Sequence, residues 1–153
     1  MDSVYITCGN KAISNRNRRT LMSLSPDSIK KVAKAYTEAW CSRSGEKVAS
    51  FFSEDATSII NKGDPTIGRA AIAEAMGAFF VEFPDLVLYM DDLRTGGNQA
   101  IFFWTLEGTN SETGNFVRAP GWQNWILSDD LLIVEADGGF DANEYGRQIK
   151  EGI

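Results

Sequence analysis

Tyr36 is the residue of this sequence best suited to chemistry, because its hydroxyl lies in a pattern that is otherwise apolar. The pattern repeats at helical steps and predicts a helix that buries one face. Its members are Ile29, Val32, Ala33, Tyr36, Ala39 and Trp40. A phenol in a dry pocket can donate a hydrogen bond to a substrate oxygen. More often, a tyrosine in such a pattern is a core residue whose hydroxyl is satisfied inside the protein. The sequence is consistent with both interpretations.

The chain contains no histidine, which narrows the chemistry that it can perform. Ser-His-Asp and Cys-His nucleophilic systems cannot be assembled within one chain. The two cysteines, Cys8 and Cys41, form no CxxC motif, so a Cys/His zinc site is not predicted either. Proton transfer would have to use Asp, Glu, Tyr, Lys, Cys or water. We expect neither a metal nor a cofactor.

The composition is that of one globular domain with an acidic surface. The chain has 153 residues, a net charge of −6, four Trp and nine Phe. The negative charge argues against nucleic acid and anionic membrane surfaces as partners, and the aromatic content suggests a large core or an aromatic-lined cavity. We expect a reduced, cytoplasmic setting, because two cysteines form no disulfide framework. We also expect no signal peptide and no membrane span, since no suitable apolar run is found in the sequence.

The helix signals come first along the chain. Residues 1–24 are polar and irregular, and we expect them to form a flexible arm in front of a domain over residues 25–153. Ser25-Pro26 predicts a helix start that runs to about Cys41. A short second helix should follow, and a third should begin after Gly68 and end before Pro84.

Strand signals follow in the second half. They cover residues 86–93, 100–108, 116–127 and 131–140, with a short closing helix over 143–150. Helices followed by a meander of strands predict an α+β fold. We expect one antiparallel sheet over residues 86–140, with the helices near 26–41 and 68–82 packed on its concave face.

With this order established, several stretches resemble the SnoaL-like polyketide cyclase family of the nuclear transport factor 2-like (NTF2-like) superfamily. They are AYTEAW (35–40), FFSEDAT (51–57), GRAAI (68–72), EFPDL (82–86), WTLEGT (104–109) and FD (140–141). The resemblance implies a cone, in which a curved antiparallel sheet wraps around the helices and encloses a central pocket. Its relatives include isomerases, epoxide hydrolases, cyclases, dehydratases and proteins that only bind or dimerise.

The resemblance also implies roles for individual residues. Tyr36 matches the tyrosine that stabilises an oxyanion in ketosteroid isomerases. The base of those isomerases falls near Ile60 or Asn61 here, and their second oxyanion donor falls near Pro120, so both groups are replaced. Asn61 could match the asparagine that positions water in the epoxide hydrolases. The Arg and the two Asp of those hydrolases are replaced by Trp104, Leu106 and Gly138.

Strand alternation predicts the pocket lining once the inward face is chosen. If position 104 points inward, so do Phe102 and Leu106; if position 120 does, so do Trp122, Asn124 and Ile126. If position 138 points inward, Val134 and Ala136 do as well. Together with Trp40 these residues give an aromatic and aliphatic pocket, in which Tyr36, Asn61 and Asn124 are the polar groups. The alternative is that the same side chains simply fill the cone.

Asp137 is the candidate acid/base. The same alternation places Glu135 and Asp137 on the convex face, but a bulge at Gly138-Gly139 would turn Asp137 inward. Otherwise its carboxylate is solvated or lies at a dimer face.

Two classes of function therefore remain open. One is a cofactor-independent cyclase, isomerase, dehydratase or hydrolase acting on a small hydrophobic carbonyl or polyketide-like molecule. It would use Tyr36, Asp137 and Asn61 as catalytic groups. The other is a non-catalytic module for ligand binding or dimerisation. In either case we expect a homodimer through the convex face of the sheet, where Phe103, Trp125 and Ile133 should lie.

Overall fold

The first helix begins where the sequence predicted. The computed structural model describes residues 23–153, and in it helix α1 spans Pro26–Cys41. The Ser25 side chain accepts a hydrogen bond from the Ser28 N–H (3.1 Å), while the Ser28 hydroxyl accepts one from the Ser25 N–H (2.9 Å). This reciprocal cap satisfies two N–H groups that the first turn would leave free. Residues 1–22 of the predicted arm lie outside the described residues.

The remaining elements follow in the predicted order of helices and then strands. They are α2 (Gly45–Ala49), β1 (Phe52–Ile60), β2 (Thr66–Ile67), α3 (Arg69–Glu82), β3 (Val87–Gly96), β4 (Gln99–Thr109), β5 (Phe116–Leu127), β6 (Ile133–Phe140) and α4 (Ala142–Glu151). The fold is the predicted α+β architecture.

The six strands form one curved sheet in the order β2-β1-β6-β5-β4-β3. Strands β3 to β6 form the predicted antiparallel meander. The sheet as a whole is mixed, however, because β1 pairs with β6 in parallel. Residues 61–132 separate these two strands, and local alternation carries no information on such a distant partner. The expectation of a purely antiparallel cone is corrected in this one pairing.

Helices α1 and α3 cover the concave face of the sheet, and the core lies between them and the strands. The Tyr36 ring of α1 packs against Phe102 of β4 and Trp125 of β5, with ring centroids 5.5 and 5.0 Å apart. Tyr36, Phe102 and Trp125 are each at most 1% exposed. Burial of this much apolar surface is the main force that holds the helices to the sheet.

The side chains of β4 face the directions predicted from the sequence, but those of β5 do not. Phe102, Trp104 and Leu106 face inward along β4. On β5 the odd-numbered residues are the buried ones, so Trp125 lies in the core and Asn124 is exposed on the convex face. The predicted inward positions of Asn124 and Ile126 were derived from position 120 and are one residue out of phase, whereas Trp122 does line the cavity. A shift by one residue exchanges the two faces of a strand.

Strand β6 contains a bulge at a place that was not predicted. Ile126 pairs with Glu135 and Leu127 with Ile133, which leaves Val134 as the extra residue. The bulge allows both Ile133 and Ala136 to be buried, so the predicted convex position of Ile133 is wrong. The ladder then runs regularly through Gly138 and Gly139, and Asp137 stays exposed.

Two further expectations can be compared with the structure. Within residues 23–153 no helix is both long and apolar enough to cross a membrane. Cys41 is disulfide-bonded, whereas the sequence led us to expect a reduced setting.

Candidate functional site

A cavity lies between the concave face of the sheet and the helices. Its solvent-accessible volume is about 50 Å³, which is several times what one water molecule needs. The helices contribute Tyr36 and Trp40 from α1, Met76 and Phe79 from α3, and Tyr145 from α4.

The sheet supplies the rest of the cavity wall. Strand β4 provides Phe102, Trp104 and Leu106, and β5 provides Ala119, Trp122 and Gln123. The other lining residues are Ile60, Leu88, Gly138, Gly139 and Phe140. Most of the residues predicted to line a pocket are therefore brought together, and the wall is as aromatic and aliphatic as expected. Such a surface suits a compact apolar ligand.

Tyr36 stands at the inner end of this cavity in a network of buried hydrogen bonds. It is 1% exposed, and its hydroxyl donates to Gln123 Oε1 over 3.0 Å. The Trp125 indole N–H donates to the same oxygen over 2.9 Å. A single amide oxygen thus accepts from two aromatic side chains, which fixes the position of all three.

Burial controls the protonation of this tyrosine. It raises the pKa of Tyr36 to about 12, and the neighbouring Trp40 indole N–H and Gln123 amide oppose the rise. The hydroxyl is therefore neutral and able to donate at physiological pH. That is the state in which a phenol stabilises a developing negative charge.

The indole N–H of Trp40 is the one buried side-chain donor of residues 23–153 that lacks a hydrogen-bond partner. It is close enough to the Tyr36 oxygen to favour the phenolate, but it does not meet the geometry of a hydrogen bond to that oxygen. The Trp40 N–H therefore faces Tyr36 as a weak electrostatic contact.

Asn61 lies just after β1 and is occupied in holding the sheet together. Its side-chain oxygen accepts from the Phe140 N–H (2.8 Å), and its own N–H donates to the Gly138 carbonyl (2.9 Å). Its backbone has a φ of 53°, a left-handed conformation that asparagine tolerates better than most residues. Asn61 is not among the residues that line the cavity.

Asp137 and Asn124 lie opposite each other on neighbouring strands, and both are exposed on the convex face. Neither lines the cavity, so the predicted location of Asn124 is corrected by the phase of β5. No Asp or Glu is found among the lining residues. Within the described part of the chain, no group of three or more His, Cys, Asp or Glu could hold a metal ion.

The outer end of the cavity is built from aromatic residues. The Trp104 ring packs over Gly121, where a Cβ atom would come within 2.3 Å of it, and it also contacts Phe140. Phe140 in turn contacts Tyr145 of α4, whose hydroxyl donates to Glu82 over 3.1 Å. Burial and the adjacent Glu82 carboxylate raise the pKa of Tyr145. Helix α4 thus partly closes the cone.

Gln123 and Tyr145 are the polar lining residues that the sequence-based prediction missed. A signal for Gln123 was present, because it alternates with the apolar residues Val117, Ala119, Trp125 and Leu127. The other phase of β5 contains Arg118 and Asn124. No comparable signal marked Tyr145, since its place in the wall depends on how α4 docks.

Comparison with known folds and sequences agrees with this architecture. The chain is similar to a protein from Jannaschia assigned to the SnoaL-like polyketide cyclases, at 14% identity and a TM-score of 0.75, over 86% of this chain and 99% of that one. It is also similar to a protein with a ketosteroid isomerase-like fold from Catenulispora acidiphila, solved in complex with trimethylamine. There the identity is 12% and the TM-score 0.72, over 78% and 92% of the two chains.

A third similar structure is SalBIII, an epoxide hydrolase/cyclase-like enzyme involved in pyran ring formation in the polyether salinomycin. It is 17% identical, with a TM-score of 0.69, over 77% of this chain and 94% of that one. At these identities the likeness establishes the fold alone. A search among curated proteins found no significant match.

The family is established by sequence. The model of the SnoaL-like domain matches residues 33–136, about two thirds of the chain, from the middle of α1 to the middle of β6. This span includes Tyr36, Trp40, Gln123 and the whole of β4. The protein therefore belongs to the family of SnoaL-like domains, with the NTF2-like cone that the sequence predicted.

Proposed function

We propose that this protein binds a small, largely apolar carbonyl compound in the cavity of the cone. The observation that carries this proposal is the cavity itself, whose wall is aromatic and aliphatic except for the Tyr36–Gln123 pair at its inner end. The volume suits a compact ring compound better than an extended polycycle. Lys, Arg, Asp and Glu are absent from the lining, which favours a neutral ligand.

A cyclase- or isomerase-type reaction without a cofactor is the catalytic form of this proposal. Tyr36 would donate to the ligand oxygen and stabilise an oxyanion as it develops. Its hydroxyl would first have to leave Gln123 Oε1, which retains the Trp125 N–H as a donor. In this catalytic form, Asp137 would move the proton and Asn61 would position water. Neither residue lines the cavity, so both side chains would have to move to reach the ligand.

A non-catalytic binding module is the second candidate, and a specific observation favours it. The cavity wall contains no carboxylate, and the Tyr36 hydroxyl is already satisfied within the protein. A general base must come within hydrogen-bond reach of the proton that it removes. The geometry therefore supports ligand binding more directly than catalysis.

We also propose that the convex face mediates a homodimer. Ile101 is 38% exposed there, and Phe103 lies two positions further along β4, on the same face. An ion pair between Arg118 and Glu107 (2.9 Å) borders this patch. An apolar centre with a polar border is typical of a protein–protein interface.

Titration with 1-indanone, a small aromatic ketone, tests the binding proposal. Its addition should change tryptophan fluorescence and raise the unfolding temperature, because a ligand that binds only the folded state stabilises it. Ala119→Leu adds a larger side chain to the cavity wall and should weaken binding by at least roughly tenfold. Ala142→Leu is the matched control, since Ala142 is exposed at the start of α4. Equal binding by all three proteins would place the ligand elsewhere and refute the proposal.

A further inference from the structure

We infer that the side-chain NH₂ group of Gln123 is the donor that recognises the oxygen of the ligand, so that the protein selects neutral ring compounds bearing a hydrogen-bond acceptor. This inference rests on the proposed binding function and names the residue that sets its specificity. Trp125 and Tyr36 together orient the amide by donating to its oxygen.

The orientation of the Gln123 amide follows from the chemistry of its neighbours. An indole N–H can only donate, and the Trp125 N–H lies 2.9 Å from Gln123 Oε1. The atom that it faces must therefore be the oxygen of the amide, which excludes the flipped assignment. The Tyr36 hydroxyl, at 3.0 Å from the same atom, is then also a donor. With the oxygen held on that side, the NH₂ group is directed away from both aromatic rings.

The NH₂ group has no hydrogen-bond partner among residues 23–153, because both hydrogen bonds of the Gln123 side chain use its oxygen. Gln123 is 9% exposed and lines the cavity. The Trp40 nitrogen is the one fully buried side-chain donor without a partner in the described part of the chain, so the Gln123 nitrogen is open to solvent from the cavity that it lines. A ligand oxygen would accept from it in place of water. The side chain is thus an oriented donor at the inner end of the cavity.

The other polar groups of the wall are less suited to this role. The Tyr36 hydroxyl donates to Gln123, and the Tyr145 hydroxyl donates to Glu82. The Trp40 nitrogen is itself buried within the wall. Trp122 is 47% exposed and Trp104 only partly buried, so water can satisfy their N–H groups at the outer end. Gln123 remains as the donor that a deeply bound carbonyl would meet.

A matched pair of probes separates this hydrogen bond from apolar contact. The two probes are 1-indanone and indane, which share their ring skeleton and differ in the carbonyl group. Gln123→Met removes the amide and keeps a side chain of similar size. It should lower the affinity for 1-indanone relative to indane by roughly threefold to tenfold. The comparison uses the ratio of the two affinities, because hydration of the carbonyl affects wild type and variant alike. Gln148→Met replaces another buried glutamine, outside the cavity, and should leave the ratio unchanged.

A spectroscopic measurement on the wild type tests the role of the Gln123 NH₂ group even if Gln123→Met does not fold. In ¹⁵N-labelled protein, the Gln123 side-chain NH₂ resonances should shift much more on adding 1-indanone than on adding indane. An affinity ratio unaffected by Gln123→Met, or equal NH₂ shifts with both probes, would overturn the inference while leaving the binding proposal intact. Failure of both probes to bind the wild type would overturn the binding proposal itself, and this inference with it.

Discussion

Replacing Tyr36 by phenylalanine separates a structural tyrosine from a catalytic one. The change removes the hydroxyl but keeps the ring, which packs edge-on against Phe51, Phe102 and Trp125 with centroids 5.0–5.7 Å away. The lost interaction is one buried hydrogen bond to Gln123. The Gln123 oxygen keeps its bond from Trp125, so no acceptor is left wholly unpaired.

The expected destabilisation is therefore about 1 kcal/mol, the usual net contribution of one hydrogen bond. For a domain of this size that lowers the unfolding temperature by roughly 3–5 °C. Affinity for 1-indanone should stay nearly intact, because Trp125 still orients the Gln123 amide. If Tyr36 is instead an oxyanion donor, turnover of a substrate that the wild type converts should fall on the order of 10²–10³-fold, with little change in stability.

The assay is urea unfolding followed by tryptophan fluorescence, together with ligand titration of each folded protein. Tyr89→Phe is the matched control, because its hydroxyl interacts with Glu107 over 3.4 Å on the convex face; it should change stability by less than about 0.5 kcal/mol. A Tyr36→Phe protein as stable as the wild type would refute the reasoning from the buried hydrogen bond. Unchanged turnover in that variant would refute the catalytic role.

Three further predictions follow from burial and exposure. An unfolded tyrosine titrates near 10, whereas burial raises the pKa of Tyr36 to about 12. The unfolded chain therefore releases this proton first, and between pH 10 and about 12 the wild type should lose about 2–3 kcal/mol more stability than Tyr36→Phe, measured by urea unfolding at each pH; parallel losses would contradict this. Asp137→Asn should leave 1-indanone affinity unchanged, and unchanged turnover of a converted substrate would eliminate Asp137 as the acid/base. Ile101→Glu should convert a dimer into a monomer by light scattering at tens of micromolar, roughly the range in which weak dimers form; a monomeric wild type would rule out the proposed interface.

Local signals predicted the helices and the meander well. The cap at Ser25 and the periodic stripe through Tyr36 fix α1, because capping and burial of one face act within a few residues. The alternation of β4 likewise placed Phe102, Trp104 and Leu106 in the cavity wall. Features that depend on neighbouring residues could thus be predicted from the sequence.

Features that depend on contacts between distant residues could not be predicted from the sequence. The parallel pairing of β1 with β6 joins segments far apart in the chain, and the bulge at Val134 depends on how β5 and β6 meet. The phase of β5 was the costliest error, since it exchanged Gln123 for Asn124 as the inward polar residue. The apolar alternation of β5 favours the correct phase, whereas the family resemblance at position 120 indicates the other one.

Intermolecular nuclear Overhauser effects from bound 1-indanone test the central claim most directly. In methyl-labelled protein, the ring protons of the ketone should give effects to Leu88 and Leu106, which line the cavity, and none to Ile101, which lies on the convex face. That result would establish a hollow cone that holds an apolar carbonyl compound. Effects to Ile101 without effects to Leu88 or Leu106 would contradict the account and show a ligand held on the outside of the sheet.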